Sequence, residues 1–150
     1  MTSMRAFIYL LSLALFLVTA TQAQSASGAD RRAARKISDA FMADLIANRS
    51  SDALQKMAAP HDAAMAQYAQ MIDRCGRPLD SKIANDGTPI VGQDVLTDGR
   101  TKSTLIFQYV CKSTRHSGWV FKVYLEVAED GKYHVHGWGC GKPGLSAPDK

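Results

Sequence analysis

The chain has few cysteines, few aromatic residues and little surplus charge, and each shortage closes off a class of protein. Three cysteines in 150 residues are too few for a disulfide scaffold, and Cys75, Cys111 and Cys140 stand at no spacing that a zinc or redox motif uses. No phosphate loop, Ser-His-Asp order or metal motif is present, so no catalytic residue, metal site or cofactor is expected. Aromatic residues make up 8% of the chain and do not interleave with basic ones in a stripe, which argues against nucleic acid as a partner. The longest apolar run, Ala6 to Ala20, has 15 residues. As a helix it reaches about 22 Å, short of the roughly 20 residues that a bilayer core requires.

That run has the pattern of a secretory leader. Arg5 supplies a positive charge before it, and small residues at Ala20, Thr21 and Ala23 follow it, so residues 1–23 are expected to be removed by signal peptidase. The alternative is a retained anchor. Loss of Arg5 from 18 basic residues leaves 17 against 14 acidic ones, a mild positive balance. The protein is therefore expected to be periplasmic or secreted, without stable membrane insertion after processing. Residues 24–140 read as one domain and residues 141–150, with two prolines and two glycines, as a loose tail.

Within the domain the apolar period changes once. Ala34, Ile37, Phe41 and Leu45 recur at helical steps over residues 30–48; Ser50 or Ser51 is placed to cap a short second helix, which Pro60 ends; and Ala64, Met65, Tyr68, Met71, Ile72 and Cys75 line a third that stops at Gly76. After Pro78 the spacing becomes two. A weak strand over 88–97 is followed by strong strands over 104–112, 119–127 and 132–140, joined at Asp98-Gly99, at 113–118 and at Asp130-Gly131. Helices first and a meander afterwards predict an α+β fold, with N-terminal helices packed on a curved four-stranded antiparallel sheet.

This succession, with Cys75-Gly76-Arg77-Pro78-Leu79 closing the third helix and Asp130-Gly131-Lys132-Tyr133 opening the last strand, resembles the nuclear transport factor 2-like, or cystatin-like, superfamily. It is most similar there to small secreted bacterial families with no assigned function. The resemblance covers roughly residues 30–140. It implies a cone-shaped half-barrel wrapped around a long helix, with a pocket at the open end in some members. Those members include steroid isomerases, dehydratases, adaptor domains and secretion-apparatus parts, so the fold selects no activity.

Candidate residues follow from strand facing. A three-residue Glu129-Asp130-Gly131 loop pairs Tyr133 with Val127 and Val135 with Leu125, which buries Tyr133 and Val135 and sends His134, His136 and Trp138 outward. Trp138, between Gly137 and Gly139, is then an interface anchor on the outer face, with His134 and His136 beside it in an interface suited to a partner or a homodimer. In the same register Cys140 lies near Val120, two strands from Cys111, which disfavours a direct bridge between them unless a bulge at Gly137 or Gly139 relaxes the spacing. Cys75 and Cys111 both face inward and are the expected disulfide. Phe41, Tyr68, Tyr109 and Phe121 line the interior and would contact any ligand held there. The inward positions 119, 121, 123, 125 and 127 carry no acid, Glu126 alternates outward, and Asp44 reads as a solvated helix edge. An isomerase-type carboxylate is thus missing. The favoured expectation is a non-enzymatic exported binding or interaction protein. A small-molecule enzyme or carrier using the interior, and a periplasmic inhibitor or immunity protein, are the alternatives.

Overall fold

Helical spacing in the first half of the chain and two-residue alternation in the second give two layers. The computed structural model describes residues 28–95, 97–128 and 130–144; the expected leader and most of the expected tail lie outside them. Three helices, α1 Gly28–Ile46, α2 Ser50–Gln55 and α3 His61–Cys75, precede five strands, β1 Lys82–Ile83, β2 Ile90–Val95, β3 Thr101–Lys112, β4 Ser117–Val127 and β5 Tyr133–Gly141. Every strand pair is antiparallel. β3 is long enough to take β2 along its first half and β1 along its second, both on one edge, while β4 and then β5 continue from the other. The sheet is open, and the helices cover one face.

The expected α+β architecture is what forms, with the two-residue β1 as a fifth strand. No helix among the described residues is long and apolar enough to cross a membrane. At α2 the N-cap position is held by Arg49, and neither Ser50 nor Ser51 supplies a side-chain cap. Gly76, after α3, has a φ of 74°. A Cβ there would stand 2.7 Å from Thr114 Oγ1 and 2.8 Å from the Arg115 backbone nitrogen, so glycine alone lets the turn after β3 close on the helix end. Ser113 Oγ seals that contact by donating to the Cys75 carbonyl at 2.7 Å.

The core lies between the layers. Leu105, Phe107, Tyr109 and Cys111 from β3, Phe121, Val123 and Leu125 from β4, and Val135 and Trp138 from β5 meet Ala34, Phe41, Met42 and Leu45 from α1. Ser38 falls inside the α1 stripe and is fully buried. Its hydroxyl shares a 2.8 Å hydrogen bond with that of Tyr109, which donates in turn to Asp39 at 2.7 Å. Two expected inward residues leave the interior at the ends of β4: Val127 is half exposed, and Trp119 stacks on His116 with ring centroids 3.4 Å apart.

Asp44 departs from its expected solvated position. It is buried, with Arg49 bound to Oδ1 at 2.7 Å and Lys56 to Oδ2 at 2.5 Å. Burial by itself raises its carboxyl, but the hydrogen bonds from Lys56 and Arg49 together outweigh that, and the group titrates below the usual aspartate range. A carboxyl depressed in the folded state stabilises fully above its unfolded value and loses that contribution as pH falls through the folded one. Asp44→Asn is expected to cost about 2 kcal/mol at neutral pH, since the pair is buried on one side and its cations are partly solvated. Urea unfolding should show the gap between wild type and variant closing below roughly pH 4. A gap independent of pH would contradict the assignment.

Candidate functional site

The last strand decides which side chains share a face. Its first half follows the expected register, with Tyr133 opposite Val127, His134 opposite Glu126 and Val135 opposite Leu125. Gly137 is then opposite Tyr124, so His136 is an extra residue with no partner of its own, and the strand bulges there. The chain after α2 covers the outer edge at this point. Ala58 N–H donates to the Val135 carbonyl and Val135 N–H to the Lys56 carbonyl, both at 2.8 Å.

One inserted residue exchanges the faces of everything after it, and two expectations are corrected for this single reason. Trp138 lies opposite Val123 and is turned inward, 4% exposed, where an outward anchor was expected. Cys140 lies opposite Phe121, not near Val120. It thereby reaches the end of α3, and the disulfide is Cys75–Cys140, with Cα atoms 5.8 Å apart, in place of the expected Cys75–Cys111. Cys111 is a free, buried thiol. Burial first, and then the charge of Asp80, push it up to about 12, which leaves essentially no thiolate at neutral pH and no nucleophile.

The four expected interior residues are all present around the core, but three of them hold a side chain and not a vacant space. Phe41, Tyr68 and Phe121 surround the Trp138 ring at centroid distances of 6.1, 6.3 and 5.9 Å. The indole Nε1 is buried without a hydrogen-bond partner. Tyr109 is drawn to α1 by Ser38 and Asp39, and Arg35 Nε holds Asp39 through both carboxylate oxygens at 2.9 and 2.7 Å. Burial, reinforced by the Asp39 charge and hydrogen bond, raises the Tyr109 phenol well above its ordinary range.

On the opposite face the bulge assembles a polar cluster that alternation alone does not reveal. Glu126 points outward from β4 as expected, yet it is only 7% exposed. Thr104 Oγ1 donates to its Oε1 at 3.1 Å, Lys102 Nζ forms an ion pair with Oε2, and His136 Nδ1 meets the same Oε2 at 3.3 Å. A cavity of about 230 Å³ opens beside them, lined by Ala58, Lys102, Glu126, Val127, Ala128 and His136. His134 is drawn the other way, with Nε2 3.0 Å from Asp130 Oδ2 in the hairpin turn. A backbone hydrogen bond from Lys132 and then the one from His134 hold the Asp130 carboxyl below its usual range. The two imidazoles therefore serve different carboxylates. Among the described residues no group of three His, Cys, Asp or Glu is placed to hold a metal ion.

Gly137-Trp138-Gly139 flanks the bulge without specifying it. The side chain of Gln67 from α3 lies against Gly137, its Nε2 3.0 Å from where a Cβ would stand. Lys102, Thr104 and Glu126 gave no signal, because an outward carboxylate on a strand reads as solvated. Comparison with protein-family models, with curated proteins and with solved structures finds no match to the chain.

Proposed function

We propose that this chain is an exported, non-enzymatic interaction protein that recognises a protein partner through the uncovered outer face of its sheet. The observation that carries this reading is the Trp138 ring seated among Phe41, Tyr68 and Phe121, in the space that an enzyme or carrier of this layering would keep for its ligand. Export rests on the leader pattern of residues 1–23, and a disulfide suits an oxidising compartment. Within the nuclear transport factor 2-like resemblance, adaptor and secretion-apparatus domains form the relevant group. A periplasmic inhibitor or immunity protein is one form that such a partner-binding domain takes. Trp138 no longer serves as an interface anchor, and a homodimer built around it is withdrawn with it.

The surface that replaces it is the outer sheet face, which no helix covers. Ile90 from β2 and Val110 from β3 are each more than two-fifths exposed on it, and they report on its two ends, since Ile90 pairs with Ile106, four residues along β3 from Val110. The test is to place a photoreactive residue at Ile90, at Val110 and, as control, at Gln70 on the exposed side of α3, and to irradiate the exporting cell. Discrete protein adducts from positions 90 and 110 and none from 70 are expected. Absence of adducts at the sheet positions, or equal adducts at the control, would overturn the reading.

A further inference from the structure

The cleft beside Glu126 has unspent bonding capacity of a definite kind. Both oxygens of Glu126 are engaged by Thr104, Lys102 and His136, so the carboxylate offers little to a ligand. Lys102 has three N–H bonds and directs one at Glu126, leaving two. The His136 ring turns Nδ1 to the carboxylate at 3.3 Å and leaves Nε2 on the far side of the ring, directed away from it. Its side chain is 59% exposed, so Nε2 is open to a ligand. Lys102 and His136 meet the same oxygen, Oε2, which sets their free polar atoms within one residue's reach of each other. The remaining lining, Ala58, Val127 and Ala128, is small and apolar.

From these features the geometry points to a cleft that takes the C-terminal residue of a partner polypeptide, one with a small aliphatic side chain. The terminal carboxylate accepts from Lys102, the amide N–H of that residue donates to His136 Nε2, and its side chain lies against Val127 and the two alanines. A volume of about 230 Å³ is below that of an ordinary ligand pocket and suits one residue. A phosphate or sulfate would leave the apolar wall unused. A free short-chain acid would fill the wall but bring no amide N–H to His136.

The inference rests on the partner-binding reading above, and its test is separate from that reading. The folded exported chain, labelled with ¹⁵N, is titrated with N-acetyl-glycyl-valine, with the corresponding C-terminal amide and with isovalerate. Saturable shifts at residues 126–128 and 136 are expected with the peptide acid, and binding at least about tenfold weaker with the amide and with isovalerate. Lys102→Met and Val127→Glu are both expected to weaken the peptide acid at least tenfold. The second lies at a half-exposed position where the fold tolerates the change, so it keeps the test valid should Lys102→Met disturb Glu126. No saturable binding of the peptide acid by about 10 mM, or binding of the amide as tight as the acid, would overturn the assignment. Isovalerate binding as tightly would overturn the peptide. Loss of the peptide interaction with photo-adducts at 90 and 110 intact would remove this site and leave the partner-binding reading standing.

Discussion

Replacement of both Cys75 and Cys140 by alanine is expected to lower the stability of the folded domain by about 4 kcal/mol, the chain-entropy cost of releasing a loop of this size. The two residues are 65 apart in sequence, and the crosslink joins the end of α3 to the far end of β5, elements with no other covalent closure. Small domains are stable by only about 5–15 kcal/mol in total, so a large share of the fold depends on this one bond. Urea unfolding of wild type and double variant measures the difference directly. Cys111→Ala, which leaves the crosslink in place and removes only a buried sulfur, should cost about 1 kcal/mol. A reversed order, with the Cys111 variant the weaker protein, would mean that Cys111 takes part in the bridge.

The second large effect belongs to Trp138. Truncation to alanine is expected to cost about 4 kcal/mol, the range for removing a large aromatic side chain from a packed core, because Phe41, Tyr68 and Phe121 lose their common neighbour. Trp138→Phe should behave differently. It keeps a ring against Phe121 and removes an indole N–H that is buried without an acceptor, so the lost area and the relieved desolvation nearly offset one another and the change stays within about 1 kcal/mol. Equal losses for the two variants would mean that the indole nitrogen, not the ring, holds the site together.

Much of the layering was legible in the sequence because each element carried its own period. Phe41 and Leu45 on one helix face, Phe107 and Tyr109 on one strand and the Asp130-Gly131 turn each point to a single local structure. The register at the start of β5 was legible too, since only one pairing buries both Tyr133 and Val135. The bulge at His136 was not. Its neighbours lie outside the strand: the 56–58 segment that bonds to Val135 along the edge, and α3, whose Gln67 side chain lies against Gly137. These are contacts between elements far apart in the chain, and no local pattern encodes them. A single inserted residue then moved Trp138 from surface to core and Cys140 to the disulfide, because strand facing has a period of two and carries no memory across a slip. Burial of Glu126 on the outer face was hidden for a related reason: its cover comes from Lys102 on one neighbouring strand and His136 on the other.

The central claim is that the space between sheet and helices is filled and that recognition takes place outside it. Methyl NMR of Val123, Leu125 and Val135, all fully buried around that space, tests it most directly when the wild-type domain and Trp138→Ala are each titrated with benzene, a probe that enters dry apolar cavities. Unchanged methyl resonances are expected in the wild type and saturable shifts in the variant, whose cavity is new. Saturable shifts of the same methyls in the wild type would contradict it and return the search to a ligand held inside the fold.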